Sequence, residues 1–257
     1  MKTVILCGGY GSRFGDDTKL KPKPLIEIGG MPIVCHIMHI YQSFGFREFV
    51  LALGYKSECF KDFFIQYPYR RNDLRIDFSR SLIEMPNPKP LDWIVHLMDT
   101  GLGTKTGGRL ARLRDLIGGE TFLATYGDGV ADVDIGRLLE FHRRHGKLAT
   151  ITGVRPKGRF GTMNCEQAEV RSYREKEPEP DQWVNGGYFV FESGVLDWIE
   201  GDDTELERGV LEKLAEQGQL MVYKHDRFWG CMDNQIDRNE LERLWEDGVA
   251  PWKLWNH

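Results

Sequence analysis

Thr3-Val4-Ile5-Leu6-Cys7-Gly8-Gly9-Tyr10-Gly11-Ser12-Arg13 joins a short apolar run to a glycine-rich loop. Glycine tolerates positive φ and lets backbone N–H groups approach a ligand without an intervening Cβ. Successive N–H groups in such a turn form a concavity that binds anions. Arg13, Lys21 and Lys23 add positive charge close to the loop. The stretch therefore predicts a strand that opens into a polyphosphate site, with chemistry at one of the phosphorus atoms.

Two familiar phosphate-binding motifs do not fit this loop. The dinucleotide fingerprint Gly-x-Gly-x-x-Gly fails because Gly9-Tyr10-Gly11 is followed by Ser12-Arg13-Phe14, and the P-loop ending in Gly-Lys-Ser/Thr is absent. A turn that serves packing alone is disfavoured, because three glycines in four positions weaken packing. What remains is a nucleotide-binding loop that carries its own arginine.

The first two thirds of the chain alternate between strand-like and helix-like patterns. This alternation predicts right-handed βαβ crossovers and an α/β fold, with a Rossmann-like, mixed but mainly parallel sheet flanked by helices and carrying small β insertions. In such sheets the ligand binds at the carboxyl ends of the strands, where the Gly8 loop and Asp128 should both lie. The predicted strands are residues 3–7, 48–53, 93–98, 121–126 and 148–154. The first predicted helix begins at Pro32 and is ended by Gly45, and the others cover 57–66, 107–117 and 134–145.

Beyond residue 154 the pattern is less regular. Asn185-Gly186-Gly187 is typical of a loop between two strands. No flexible linker separates the halves, so we predict a single domain over residues 1–257. The expected strands are 162–176, 188–191 and 220–223, and the expected helices are 196–200, 205–217 and 235–246.

Two further segments, residues 66–90 and the carboxyl end, carry apolar residues for which the sequence allows more than one role. Leu74, Ile76 and Phe78 alternate with polar residues, which predicts a strand with one solvent-facing side. Residues 66–90 end in a proline-rich stretch, which predicts an ordered excursion serving as a lid or a subunit contact. Trp245, Trp252 and Trp255 at the carboxyl end either cover the core or form an interface. From them we expect a homo-oligomer, such as a trimer or a hexamer.

Composition narrows the class of protein. The formal net charge of −5 disfavours a general nucleic-acid binder. The five cysteines are scattered without a Cys-x-x-Cys pair, so neither a zinc site nor a disulfide framework is predicted. No signal-peptide pattern opens the chain, and no apolar run approaches the ~18 residues that a membrane helix needs. We therefore expect a cytoplasmic protein without membrane or nucleic-acid partners.

Charged residues near the predicted strand ends suggest phosphate and metal chemistry. Lys21-Pro22-Lys23-Pro24 should hold two lysines on a stiff, extended piece of chain, although a solvated basic loop would look the same. Asp128 lies between two glycines, where a carboxylate could reach a metal. Asp233 follows an apolar run and could be a second ligand or the N-cap of the last helix. Magnesium is normally held by one or two carboxylates and phosphate oxygens, but spacing alone does not pair these two.

Taken together, these motifs resemble a known family over nearly the whole chain. The sequence is similar to the sugar-1-phosphate nucleotidylyltransferases, and most closely to the glucose-1-phosphate cytidylyltransferases among them. The motifs that carry the resemblance are Leu6–Arg13, Lys21–Pro24, Glu27–Gly30, Asp99–Gly101, Thr106–Arg109, Tyr126–Asp132, Gly158–Gly161, Glu175-Lys176, Asn185–Gly187 and Phe228–Asp233. Cys7 stands where alanine is usual and Ser12 where threonine is usual.

The resemblance implies a role for individual residues. Arg13, Lys23 and Lys176 would be the catalytic cations, and Asp128 and Asp233 would coordinate Mg²⁺. The nucleotide-binding residues implied are Leu6, Gly8, Gly9, Gly11, Ser12, Arg13, Lys23, Thr104, Thr106, Gly107, Arg109 and Gly127. The sugar-binding residues implied are Gly161, Glu175, Lys176, Asn185 and Gly186. The domain would then comprise a nucleotide-binding core (1–155), a sugar-binding part (156–234) and a C-terminal helix and tail (235–257).

The activity that the resemblance implies is transfer of a cytidylyl group from CTP to α-D-glucose 1-phosphate, with release of pyrophosphate. Such a product feeds deoxysugar and surface-polysaccharide (O-antigen) synthesis. Three alternatives stay open: the same reaction with another base or sugar 1-phosphate, a non-catalytic nucleotide sensor on the same fold, and a Rossmann dehydrogenase, which the failed fingerprint disfavours.

Overall fold

The computed structural model describes residues 1–11, 14, 20–89, 91–156, 162–166, 169–174 and 183–255. A seven-stranded sheet runs through the centre of the molecule, and its strands are β1 (Lys2–Leu6), β2 (Glu48–Leu53), β3 (Ile94–Asp99), β4 (Phe122–Tyr126), β5 (Ala149–Val154), β6 (Val184–Phe191) and β7 (Leu220–His225). Their order in the sheet is β7-β5-β6-β4-β1-β2-β3. All adjacent strands pair in parallel except β6, which runs antiparallel to both of its neighbours. The predicted α/β class and mainly parallel sheet are confirmed.

Helices and small β ladders surround this sheet. The helices are α1 (Ile33–Gln42), α2 (Ser57–Arg71), α3 (Thr106–Arg112), α4 (Arg114–Ile117), α5 (Ile135–His145), α6 (Glu212–Glu216) and α7 (Gln235–Glu246). Shorter helical turns are the 3₁₀ segments Lys23–Leu25 and Ser193–Trp198 and the π-helical segment Leu206–Leu211, which continues into α6. The two-stranded ladders are Glu27–Ile28 with Met31–Pro32, Arg75–Asp77 with Leu82–Glu84, Gly129–Ala131 with Trp229–Cys231, and Thr162–Glu166 with Glu169–Arg174.

Alternate side chains of β1 enter two separate cores, so the molecule has three layers. Ile5 packs into the core that includes residues of α1, α5 and α7. Val4 and Leu6 pack into the opposite core, with Leu110 of α3 and Leu214 of α6. Covering both faces explains why β1 and β2 are almost continuously apolar, as parallel strands usually are. Each fully buried Leu, Ile, Val or Phe contributes about 1.5–3 kcal/mol, so these two cores are the main source of stability.

Local capping sequences set the ends of two helices. Asp134 caps α5, since its carboxylate accepts the Arg137 N–H at 2.9 Å, and Gly146 ends the helix at φ 64°. Asn234 caps α7 by accepting the N–H groups of Ile236 and Asp237. The alternative of Asp233 as the N-cap is therefore wrong.

Several predicted segments differ from the structure. The helix that begins at Ser57 continues beyond residue 66 to Arg71, because Tyr67 is buried in the core and stacks on Trp93. Residues 107–117 form two helices that are separated at Leu113 instead of one. The expected single strand over 162–176 is the two-stranded ladder given above.

The Asn185-Gly186-Gly187 segment lies within β6 and is not a loop. The sequence Asn-Gly-Gly suggested a turn, and Gly187 does have the positive φ of 79° that is common in turns. Its neighbours nevertheless pair with β5, with Asn185 opposite Gly153. Hydrogen-bonded pairing of β6 with β5 and β4 outweighed the turn preference of this sequence. For residues 74–78 the predicted strand is confirmed over Arg75–Asp77, but the predicted buried face is wrong, because Ile76 and Phe78 are 50% and 88% exposed.

The carboxyl-terminal tryptophans cover the core. Trp252 is fully buried, stacks on Phe228, and its Nε1–H donates to His36 Nδ1 at 3.3 Å. Trp245 meets the His36 ring edge-on, with centroids 4.7 Å apart. These rings therefore give no support to the expected oligomer, which stays a prediction. Within the described ranges no helix has the length and apolar character needed to cross a membrane.

Candidate active site

The glycine-rich loop and Asp128 lie at the same edge of the sheet. β1 and β4 are adjacent and parallel, with Leu6 opposite Tyr126, so the residues that follow both strands leave from one edge. The Gly127 N–H donates to the Leu6 carbonyl at 3.1 Å. A Cβ at Gly127 would lie 3.1 Å from Cys7 Sγ, so this close approach favours glycine. The predicted convergence of the two motifs is confirmed.

The three loop glycines occupy different environments. Gly11 has φ 64°, a conformation that side chains other than glycine rarely adopt. A Cβ at Gly8 would lie 2.1 Å from Arg109 Cζ, whereas none of the described residues lies within 4 Å of a Cβ at Gly9. The inner side of the loop is therefore filled by protein, and no described residue fills the outer side at Gly9.

Arg109 supports this loop from beneath. Only 4% of the residue is exposed. Its guanidinium donates to the carbonyls of Leu53, Gly101 and Gly8 at 2.8, 2.8 and 3.0 Å, and to Thr100 Oγ1 at 2.7 Å. Burial lowers the pKa of this guanidinium, and the nearby Asp99 charge opposes that shift. The sequence did not reveal this bracing of the loop, because it depends on four chain segments meeting.

The start of α3, where the resemblance places the base, is tied to a later segment of the chain. The N–H groups of Gly107 and Gly108 both donate to the Thr204 carbonyl, at 3.0 and 3.2 Å. Thr106 Oγ1 accepts the Leu206 N–H at 2.8 Å. Thr104, the remaining nucleotide-binding candidate here, is 7% exposed. Residues 204–206 therefore already satisfy much of this helix end.

Lys23 lies between the two candidate metal ligands. Its Nζ donates to Asp128 Oδ2 at 2.7 Å and to Asp233 Oδ1 at 3.0 Å. Burial alone would lower the pKa of Lys23, but the charge and hydrogen bond of Asp128, together with the Asp233 hydrogen bond, raise it above its ordinary value. Lys23 thus stays charged at neutral pH. Lys21, by contrast, is exposed and pairs with Glu27 at 3.0 Å.

The surroundings of Lys23 differ from the extended conformation expected for residues 21–24. Pro22 is extended, but Lys23–Leu25 forms one 3₁₀ turn with Pro24 in its first positions. Proline is tolerated there because the first N–H groups of a helix lack partners within it. The turn places Lys23 in the interior and leaves Lys21 in solvent, so the two lysines are not equivalent.

A short antiparallel ladder brings Asp128 and Asp233 together. Gly129 pairs with Cys231, and the Met232 N–H donates to the Asp128 carbonyl at 2.8 Å. Asp128 directly precedes the first strand of this ladder and Asp233 closely follows the second, so the two carboxylates lie next to each other. The pairing is a contact between distant parts of the chain, and spacing could not reveal it.

The donor set suits a hard divalent cation. Oxygen atoms of Asp128 and Asp233 and the Cys231 sulfur all lie within 4.8 Å of one another. Burial, followed by the charges of Asp128 and Asp233, raises the pKa of the Cys231 thiol far above its ordinary range. A protonated thiol is a poor ligand, so the two carboxylates are the groups that would hold a metal. Carboxylate oxygens are the ligands that Mg²⁺ prefers.

The two sugar-binding candidates that the structure describes, Asn185 and Gly186, lie beside Tyr126 and Trp229. Asn185 Nδ2 donates to Tyr126 Oη at 3.3 Å, and its Oδ1 accepts the Gly187 N–H at 2.8 Å. The Gly186 carbonyl accepts Trp229 Nε1–H at 2.8 Å, next to the ladder that carries the acidic pair. Ser12, Arg13, Gly161, Glu175 and Lys176 lie outside the described residues.

Glu207, which the sequence did not indicate, contacts the candidate residue Thr106 and the neighbouring Tyr126. Its carboxylate accepts hydrogen bonds from Tyr126 Oη and from Thr106 Oγ1, the latter at 3.1 Å. It lies in the π-helical segment, among several other acidic residues in residues 200–216, and nothing in the local pattern sets it apart. Its importance arises only from the two hydroxyl groups that face it.

The family model for nucleotidyl transferases matches residues 2–247 of this chain. The chain belongs to the nucleotidyl transferase family. A relative from Salmonella typhi, named glucose-1-phosphate cytidylyltransferase, is 44% identical over 99% of this chain and 100% of its own length. The resemblance seen in the sequence is thereby confirmed. The edge of the sheet that holds the glycine-rich loop, Lys23 and the two carboxylates is therefore the candidate active site.

Solved structures with low sequence identity share the fold. HddC from Yersinia pseudotuberculosis is 20% identical, with a TM-score of 0.66 over 95% of this chain and 99% of that chain. A UDP-glucose pyrophosphorylase complexed with UDP-glucose is 13% identical, with a TM-score of 0.67 over 96% of this chain and 98% of that chain. The three-layer architecture is therefore common to proteins of quite different sequence.

Proposed function

We propose that this protein transfers a cytidylyl group from CTP to α-D-glucose 1-phosphate, giving CDP-glucose and pyrophosphate. The full-length similarity to a glucose-1-phosphate cytidylyltransferase supports the choice of substrates. The observation that carries the reaction type is Lys23, held between Asp128 and Asp233 at the edge where the glycine-rich loop emerges. Phosphoryl chemistry needs cations, carboxylates for a metal, and backbone donors at one place, and this edge brings them together.

The chemistry follows from the charges of the two substrates. An oxygen of the sugar phosphate forms a bond to the α-phosphorus while the bond from that phosphorus to the bridging oxygen breaks, and the electron pair leaves on pyrophosphate. The attacking phosphate is already an anion, so no general base has to remove a proton. Catalysis then consists of alignment and neutralisation of charge, with no covalent enzyme intermediate.

The residues divide between the two substrates. The loop from Leu6 to Gly11 would hold the nucleotide, with Ser12, Arg13 and Lys23 on its phosphates and Gly127 beside them. Asp128 and Asp233 would hold Mg²⁺, which neutralises the triphosphate and stabilises the leaving pyrophosphate.

The two ends of the substrate pair would lie on opposite sides of this centre. Thr104, Thr106, Gly107 and Arg109 surround the predicted base end. Asn185 and Gly186 lie at the predicted sugar end, where Gly161, Glu175 and Lys176 would complete the site. Lys176 would neutralise the sugar phosphate.

The test is product formation by the purified protein with Mg²⁺. We expect pyrophosphate release with CTP and glucose 1-phosphate, and CDP-glucose as the nucleotide product by chromatography. UTP, dTTP, ATP and GTP, and mannose and galactose 1-phosphates, serve as the comparison panel. Preference for another base or sugar would overturn the substrate assignment, and binding without turnover for every pair would favour a nucleotide sensor.

We further propose a cytoplasmic homo-oligomer, a trimer or a hexamer, whose product enters deoxysugar and surface-polysaccharide synthesis. Light scattering coupled to size-exclusion chromatography measures the mass of the assembly, and a mass near 29.7 kDa would contradict the oligomer.

A further inference from the structure

Glu207 joins two parts of the site that no sequence motif connects. One carboxylate oxygen accepts from the Tyr126 hydroxyl at the end of β4, and the other accepts from Thr106 Oγ1 at the start of α3. The residue is half-buried, in contrast to exposed Glu212 farther along the same helical stretch. A half-buried carboxylate that accepts hydrogen bonds from two hydroxyl groups determines the direction in which both O–H bonds point.

The ionised carboxylate fixes the direction of every hydrogen bond around it. It has no proton to give, so both hydroxyl groups must donate to it. The Thr106 hydroxyl oxygen is then an acceptor for the Leu206 N–H at 2.8 Å. In the same way Tyr126 Oη is an acceptor for Asn185 Nδ2 at 3.3 Å. One charge thereby orients Thr106 at one end and Asn185 at the other.

Packing around Tyr126 leaves it little freedom to move. A Cβ at Gly187 would lie 2.5 Å from Tyr126 Cδ2, so the ring rests directly on the backbone of β6. The ring also meets Phe189 edge-on, with centroids 5.5 Å apart. Any displacement of the Tyr126 hydroxyl is therefore passed to β6, which carries Asn185 and Gly186.

We propose that Glu207 is a positioning residue that couples the nucleotide end of the site, at Thr106, to the sugar end, at Asn185, through the Tyr126 hydroxyl. The assignment of a substrate to each end rests on the proposed function. Glu207 touches no reacting atom in this scheme. It sets the geometry in which the two substrates meet, and alignment is one of the two contributions to catalysis in this reaction.

The experiment compares KM for each substrate in Glu207→Ala, Glu207→Gln and Tyr126→Phe. For Glu207→Ala we expect KM to rise about tenfold for both the nucleotide and the sugar phosphate, because both ends lose their fixed orientation. Glu207→Gln retains one acceptor and should fall between this variant and the wild type. Glu212→Gln is the matched control and should behave as wild type.

Tyr126→Phe separates the two ends. It removes the bond to Asn185 and keeps the Thr106–Glu207 bond, so KM for the sugar phosphate should rise about fivefold while KM for the nucleotide changes less than twofold. Adding Tyr126→Phe to Glu207→Ala should raise KM for the sugar phosphate no further, because both changes break the same connection.

A purely structural Glu207 gives a different result. In that case Glu207→Ala lowers the thermal midpoint while KM and kcat per folded molecule stay at wild-type values, and the proposal is overturned. Additive effects of Glu207→Ala and Tyr126→Phe would overturn it as well. If Glu207→Ala does not fold, the comparison of Glu207→Gln with Tyr126→Phe decides in the same way.

The outcome of this test does not depend on which nucleotide and sugar phosphate are the substrates. Should the wild type prefer another nucleotide or sugar phosphate, the proposed function fails, and the same variants are compared on the preferred pair. A rise in both KM values there would still support the coupling through Glu207. Unchanged KM values on that pair would reject it.

Discussion

The Lys23 ammonium lies 2.7 Å from the Asp128 carboxylate and thereby places a full positive charge between the groups that we assign to the metal. A divalent cation that binds before the nucleotide must displace this ammonium. The phosphates of an incoming nucleotide offer the displaced ammonium a new partner. Metal affinity in the nucleotide-free protein is therefore limited by Lys23 itself.

We predict that Lys23→Met binds Mn²⁺ about tenfold more tightly than the wild type when no nucleotide is present, because the Lys23 ammonium no longer neutralises the two carboxylates. Electron paramagnetic resonance of free Mn²⁺ measures the affinity. Mn²⁺ should also raise the thermal midpoint of the variant more than that of the wild type. Lys21→Met, which removes an exposed lysine, is the control. Equal or weaker binding by Lys23→Met would contradict the prediction.

Asp128→Asn should reduce kcat about a hundredfold or more while leaving the fold intact, because it removes one of two charges that hold the metal against the triphosphate. Lys23→Ala should also lower turnover strongly. Steady-state kinetics and circular dichroism measure the two properties. Unfolding of either variant at ordinary temperature would show that the residue serves structure instead of chemistry.

Gly8→Ala and Gly9→Ala form a matched pair within one loop. At Gly8 the new methyl group would collide with the Arg109 guanidinium, which is fixed by its bonds to Leu53, Thr100 and Gly101. At Gly9 no residue in the described ranges lies within 4 Å of the new methyl group. We expect Gly8→Ala to lower the free energy of unfolding by about 2–3 kcal/mol, and Gly9→Ala by less than about 1 kcal/mol. Urea denaturation measures both values, and equal losses would refute the bracing role of Arg109.

His36 predicts an acid-sensitive stability. Burial lowers its pKa from 6.5 to about 4, and as a neutral ring it donates from Nε2 to the Ile28 carbonyl at 2.8 Å and accepts from Trp252 at Nδ1. The unfolded chain takes up this proton first, so stability is full above pH 6.5 and falls as the pH drops towards 4. The pKa values of His142 and His145 are also lowered by burial, and they add to the same slope.

The measurement is the free energy of unfolding between pH 7.5 and 4.5 for the wild type and His36→Gln. The variant should be less stable at pH 7.5 but lose less stability over this range, by up to about 1.4 kcal/mol per pH unit near the steepest part. Identical slopes for the two proteins would show that His36 does not titrate on unfolding.

Local patterns predicted most of the fold. The prediction of residues 48–53 matches β2 in both bounds, and that of residues 235–246 matches α7, because apolar periodicity and flanking turn residues are properties of the nearby chain. The turn preference of Asn185–Gly187 was real, since Gly187 has φ 79°, but two partner strands outweighed it.

The sequence indicated candidate site residues one by one, but it did not indicate which of them would meet. The sequence indicated Asp128 and Asp233 separately, but their meeting depends on a ladder between distant strands. Arg109 could be recognised as a nearby cation, whereas its position beneath Gly8 depends on the packing of β2, α3 and the first loop. Glu207 carried no local signal at all. Connections of this kind are products of tertiary structure.

The reversed direction of β6 has a consequence for how the specificity of such a protein can change. Neighbouring β4 carries the candidate metal ligand Asp128 just after its end, whereas β6 carries the candidate sugar-binding residues Asn185 and Gly186 at its beginning. The candidate determinants for the two substrates thus come from separate stretches of chain. A change of acceptor specificity that begins in β6 can therefore leave the loop after β1 intact, provided that it keeps the connection through Tyr126 and Glu207.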